Sequence, residues 1–390
     1  MSLTGAQAVA QALSEARCTV ITHVPGRGAT LVHEATLVNR VRAALSFHEE
    51  AAYAIAHGAA LCGSRAAVVI KSHGLLKAAN AMQSSLAAGV TAGLVVVVAG
   101  DAEGRSSDTI FDVTGVVEGL GLPFVRAVAD DAHDAVLEAF ARSERTSLPQ
   151  AVLVESTDLE APVTREPVPR KLDIPPLYAR DPARHLVCPL FTRYQREVLD
   201  ARRTGGEVDA IARPRLPHVP DDLPESWHDT LRDYAVAFEA LRTVPRDFTA
   251  GDTGLSSLFG LPPYHAVDAV TYYGGSIPLA VGAWLAGREH AWAVTGDYAF
   301  AAAGALGLTE AAHRQAPVKV VIFANGQARA TGGQTVALDD VEAIIGGYEA
   351  RVHRVEDARD GVAVREAVEE ATQRDGLRIV LLQYPVRFGL

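Results

Sequence analysis

What most constrains this chain is a repeated alternation of short β-branched apolar runs with segments of helical periodicity. Over residues 1–155 the runs are CTVITHV, AAVVIK, GLVVVVA, PFVRAV and QAVLVE. Strand-length runs of this kind, separated by helices rather than tight turns, specify a parallel sheet covered on both faces. From 226 the alternation resumes with DFTA, AVDAVTYY, AWAVT, VKVVIFA, ARVHRV and RIVLLQYP. Between them, over 156–225, the text turns to EAPVTREPVPRKLDIPPLYARDPARHL and ARPRLPHVPDDLPES, rich in Pro and charge. The expectation is an α/β chain of two doubly wound parallel-sheet domains, 1–155 and 226–390. A Pro-rich linker over 156–225 joins them and carries one short helix, VCPLFTRYQREVLDARR.

Composition narrows the partners. With 390 residues, 48% of them hydrophobic, the chain has material for a large core. A net charge of −11 and the lack of a Lys/Arg run argue against nucleic acid, which needs clustered cations, and for a small-molecule ligand. The longest apolar stretch, GLVVVVAG, falls far below the roughly 18 residues of a membrane span. The first residues, MSLTGAQAVAQALSEARC, read as an amphipathic helix rather than a secretory leader. Cys18, Cys62 and Cys188 are odd in number and scattered, which suggests reduced thiols and a cytoplasmic protein.

Two segments carry chemistry. In EHAWAVTGDYAF, followed by a helix and then by VKVVIFANGQ, Asp297 and Asn325 stand at the ends of successive strands. Ligands of open α/β sheets bind at such ends, and two oxygen donors there suit Mg²⁺ completed by phosphate oxygens and water. The plainer reading makes Asp297 a solvated cap of the helix beginning near Phe300. In SFHEEAAYAIAHGAALCG, Glu49 follows a strand end and opens a helix whose Ala52, Ala56, Gly58 and Ala59 permit close packing. There the plainer reading is an acid favoured by the helix dipole.

Together these segments resemble the thiamine diphosphate-dependent enzymes of 2-oxo acids, and the resemblance spans both domains. It is nearest in motif to the indolepyruvate ferredoxin oxidoreductase large subunit and to the sulfopyruvate and phosphonopyruvate decarboxylases. The family's Gly-Asp-Gly and later Asn read here Gly296, Asp297, Tyr298 and Asn325, a departure at the third position. Its activating Glu precedes a Gly by nine residues, as Glu49 precedes Gly58, which favours Glu49 over Glu50. DAEGRSSDTIFD resembles the Ser-Ser-Gln loop of the oxidoreductase branch, and GDTGLSSLFGLPPYHAVDAVTYYGGSI resembles another of that branch's segments. TGGQ, Thr331 to Gln334, resembles the Gly-Gly-Gln of the phosphonopyruvate enzymes.

The resemblance implies a thiamine diphosphate-binding fold, with thiamine diphosphate and Mg²⁺ as cofactors. Glu49 would be the proton relay at the cofactor's pyrimidine, while Asp297, Asn325 and a backbone carbonyl near Gln327 would hold the metal on the diphosphate. Tyr273, just before Gly274, takes the place of the Met, Leu or Ile that props the cofactor in relatives. Because the two halves of a site come from different subunits in this family, a homodimer or a dimer of dimers is implied. Three scattered cysteines cannot ligate a four-cysteine iron–sulfur cluster. The expected reaction is therefore non-oxidative decarboxylation of a 2-oxo acid, the remaining fragment taking a proton to give an aldehyde or joining an acceptor carbonyl compound. Candidates for handling substrate are His23 and Arg27 in THVPGRG, His73 in KSHGL, His265 and Gln334. Alternatives are an oxidoreductase subunit with a separate electron-accepting partner, or a non-catalytic cofactor-binding homologue. A nicotinamide site is disfavoured, since no G-x-G-x-x-G follows the first strand of either domain.

Overall fold

A computed structural model describes residues 3–38 and 43–385. The chain divides into two compact units, 1–179 with 198–208, and 180–197 with 209–390. The Pro-rich stretch is thus shared out between them. Its apolar residues Leu186, Phe191, Val219 and Leu223 are buried in the core of the second unit, and its helix runs Thr192–Thr204.

The first unit holds β1 (Val20–His23), β2 (Ala43–Leu45), β3 (Ala66–Lys71), β4 (Leu94–Gly100), β5 (Phe124–Ala127) and β6 (Gln150–Glu155). They form one sheet in the order β2-β1-β3-β4-β6-β5, and every pairing is parallel. All seven residues of β4 are buried, which is why its sequence is continuously apolar rather than alternating. From β1 the chain steps to β2 on one side, then crosses to β3 and β4 on the other. The switch point, where open sheets of this type bind ligands, lies between β1 and β3.

In the second unit β7 (Phe248–Gly251), β8 (Ala269–Val270), β9 (Ala291–Gly296), β10 (Lys319–Ala324), β13 (Val352–Val355) and β14 (Arg378–Gln383) form a second parallel sheet. Its order is β13-β14-β10-β9-β7-β8. A small antiparallel hairpin, β11 (Gln327–Ala328) with β12 (Gln334–Thr335), stands apart from it. By the same reasoning the switch point falls between β7 and β9, and the residues just beyond those strands are Asp252 and Asp297. Both sheets have the α/β doubly wound form expected. Among the described residues no helix is long and apolar enough to cross a membrane.

Candidate active site

In the second unit a cavity of about 670 Å³ opens beyond the switch point, lined by Tyr273, Gly296, Asp297, Tyr298, Asn325 and Gln327 among others. Six of the residues singled out by motif thus share one wall. Asp297 begins the helix after β9 and is 2% exposed. Its Oδ1 accepts from the Tyr298 amide and its Oδ2 from the Gly326 amide, both at 2.7 Å. Burial outweighs these bonds and pushes its carboxyl up to about 6. Among the described residues no cationic side chain pairs with it. Asn325 Oδ1 accepts from the Gln327 amide at 2.9 Å, and its Nδ2 donates to the Tyr234 hydroxyl.

This donor set is hard oxygen. Among the described residues no group of three or more His, Cys, Asp or Glu is placed to hold a metal. A cation here would lean on Asp297, on Asn325 and on oxygens of its ligand, as Mg²⁺ does at phosphate sites. A buried carboxylate lacking a positive partner fits that role.

Beneath this wall lies a residue that motif reading did not single out. Asp252, fully buried, directly follows β7. Its Oδ1 accepts from the amides of Gly274 (2.6 Å) and Thr253 (3.0 Å), its Oδ2 from the hydroxyls of Thr295 (2.9 Å) and Ser276 (3.5 Å). One side chain thus ties β7, the end of β9 and the turn at Gly274 together. That turn needs glycine, because φ is +80° and a Cβ would lie 2.4 Å from Ala303 Cβ. Tyr273, next to it, donates its hydroxyl to the Tyr298 carbonyl at 3.2 Å, which supplies the partner a phenol in this place requires.

Burial raises Asp252 to about 6 as well. Between the unfolded value near 3.8 and 6, the folded protein holds a proton that the unfolded chain has lost, so stability falls as pH rises through that window. In Asp252→Asn, Oδ1 keeps both amides and the two hydroxyls turn to accept from the new NH₂. The variant is expected to match the wild type below pH 4 and to exceed it by roughly 3 kcal/mol well above pH 6. Chemical denaturation across pH 4–7.5, plotted as the difference between variant and wild type, checks this. A flat difference contradicts it.

In the first unit Glu49 is the first residue of the helix Glu49–Leu61 and is 9% exposed. Its Oε2 is buried and accepts no hydrogen bond, with Lys77 Nζ at 3.6 Å. Glu50, by contrast, accepts from Asn80 Nδ2 at 3.0 Å. Glu49 sits over Gly74, where any Cβ would come within 2.6 Å of its Cγ. The Gly of KSHGL therefore makes room for the carboxylate, a role visible only once the two helices meet. A buried carboxylate oxygen that accepts no hydrogen bond suits a ligand that donates or shares a proton.

The substrate candidates are placed less uniformly. His23, at the end of β1, is 2% exposed and stacks on His33 at 4.4 Å, with neither ring nitrogen hydrogen-bonded. Burial, with His33 beside it, lowers it to about 4, so it is neutral near pH 7. His73 contacts the Thr109 hydroxyl through Nε2 at 3.0 Å and sets its ring against Phe111. Arg27 is held by Glu160 at 2.9 and 3.2 Å, so its guanidinium is already committed to a carboxylate. His265 is exposed at a positive φ, and Gln334 is exposed and bonded to the Thr331 carbonyl; neither lines the cavity.

The family model described as "Thiamine pyrophosphate enzyme, C-terminal TPP binding domain" matches residues 252–381, the stretch containing Asp252, Tyr273, Asp297 and Asn325. This match identifies residues 252–381 as a thiamine diphosphate-binding domain. Solved structures agree in fold. The benzoylformate decarboxylase of Polynucleobacter necessarius superposes with a TM-score of 0.70 at 12% identity, covering 100% of this chain and 99% of that one. The thiamine diphosphate-dependent 4-hydroxybenzoylformate decarboxylase of Rhodococcus jostii RHA1 gives 0.69 at 15% identity, covering 99% of this chain and 100% of that one. No curated protein matches the chain by sequence.

Proposed function

We propose that the chain is a thiamine diphosphate and Mg²⁺-dependent enzyme that removes CO₂ from a 2-oxo acid without oxidation. The products are CO₂ and either the aldehyde or, with an acceptor carbonyl compound, a hydroxyketone. The observation that carries this reading is the buried Asp297 carboxylate. Among the described residues it has no cationic side-chain partner, and it lies beside Asn325 in a cavity that the matched domain partly lines.

When bound, the cofactor supplies an acidic carbon that adds to the ketone and an electron sink for CO₂ loss. The chain's residues do the rest. Asp297, Asn325 and the Gln327 carbonyl would hold the metal and so anchor the diphosphate. Tyr273, fixed through Tyr298, would support the cofactor above them. Glu49, whose Oε2 accepts no hydrogen bond, would share a proton with the pyrimidine ring. His73 and His23 are proposed to face the substrate; a neutral His23 polarises or accepts rather than carrying charge. The family's shared sites make the active unit a homodimer or a dimer of dimers.

Benzoylformate-type neighbours and the aromatic lining by Trp227, Tyr273, Tyr298 and Phe323 favour aromatic 2-oxo acids within the class. The test is a panel of aromatic, aliphatic, sulfonated and phosphonated 2-oxo acids with cofactor and Mg²⁺, scored for CO₂, aldehyde and ketol. Release of CO₂ from at least one supports the reading. Dye reduction in place of aldehyde or ketol would move the chain to the oxidative class, and no turnover at all would leave a cofactor-binding protein.

A further inference from the structure

Among the described side chains lining the cavity, Arg329 alone is cationic. It follows Gln327 by two residues, in the turn Arg329–Thr331 between β11 and β12. The hairpin is closed by Gly333 N to Ala328 O at 3.1 Å and Val336 N to Gly326 O at 2.9 Å. Its return passes through Gly332 and Gly333, both at positive φ. Arg329 Nη1 donates to Thr230 Oγ1 at 2.7 Å, and no carboxylate among the described residues pairs with it. A guanidinium carries five donors in a planar fork. One is used to aim the group, which leaves an edge for a two-pronged anionic acceptor.

The position selects the acceptor. Two residues span at most about 7 Å, so Arg329 belongs to the end of the cavity where the Gln327 carbonyl would meet the metal. We propose that Arg329, aimed by Thr230, clamps the terminal phosphate of the cofactor and makes the site prefer the diphosphate to the monophosphate. This rests on the reading of the cavity as a thiamine diphosphate site, and it adds a cation that the metal-binding motif does not contain.

Calorimetric titration with thiamine diphosphate and with thiamine monophosphate, both with Mg²⁺, tests it on the full chain. Arg329→Gln is expected to lose roughly ten- to hundredfold in affinity for the diphosphate with little change for the monophosphate, the usual scale for a charge-assisted pair. Arg329→Lys, which keeps charge but not the fork, falls between. Thr230→Val, which keeps the arginine and frees its aim, shows a smaller loss in the same direction and serves if Arg329→Gln folds poorly. Discrimination unchanged in both Arg329→Gln and Thr230→Val overturns the inference. So does intact cofactor affinity with a raised KM for the 2-oxo acid, which would put the guanidinium on substrate. Failure of the wild type to bind either compound contradicts the proposed function itself.

Discussion

Asp297→Ala is expected to abolish Mg²⁺-dependent binding of thiamine diphosphate while leaving the protein folded. Among the described residues lining the cavity the carboxylate is the only acidic side chain, and it is 2% exposed. Removing even an outer partner of a metal ligand typically costs 10- to 100-fold in metal affinity, and a direct ligand should exceed that range. The effect on the apoprotein is small because two contributions oppose. The Tyr298 and Gly326 amides lose their acceptor, at about 1–3 kcal/mol each. Against that, a carboxyl raised to about 6 no longer has to be ionised in the interior at pH 7.5. The measurement is the melting temperature with and without cofactor and Mg²⁺. At a hundredfold excess over Kd the wild type gains about 2.7 kcal/mol, and the variant gains none. An equal gain in both would remove Asp297 from the metal site.

The second large effect is kinetic. Glu49→Gln preserves size and keeps one acceptor oxygen, but it cannot exchange a proton with the pyrimidine. Turnover of the best 2-oxo acid is expected to fall by roughly 10² to 10⁴, the usual contribution of a positioned acid or base. Cofactor affinity should change only severalfold, because the diphosphate end is held elsewhere. A loss of affinity equal to the loss of rate would instead make Glu49 a binding group. Gly74 gives an independent handle, since a side chain there displaces Glu49 without touching its chemistry.

The strands could be read from sequence because most are buried on both faces and so carry unbroken β-branched runs, as β4 and β10 show. AVDAVTYY contains only the two-residue β8. The run is broken at Asp268, whose carboxylate takes the Thr249 amide and pairs with Arg180. Over 156–225, Pro and charge mask sparse anchors such as Leu186 and Phe191, which pack into the second core despite the composition around them.

Asp297 and Asn325, proposed to hold the metal, stood out in the sequence because they lie at strand ends in local motifs. Asp252, Gly74 and the Arg329–Thr230 pair did not, since each acts through a segment distant in sequence. GDTG contains Asp252, but nothing local shows that its carboxylate would collect Gly274, Thr295 and Ser276. Arg27 shows the converse. Its loop position is inviting, yet Glu160 already occupies the fork.

The most direct test of the central claim is hydrogen–deuterium exchange at C2 of thiamine diphosphate, followed by quenched-flow NMR with the wild-type protein and Mg²⁺. The account predicts exchange far faster than in free cofactor, because bound cofactor is activated through Glu49. Tight binding with exchange no faster than in solution would contradict it, leaving a protein that holds the cofactor without using it.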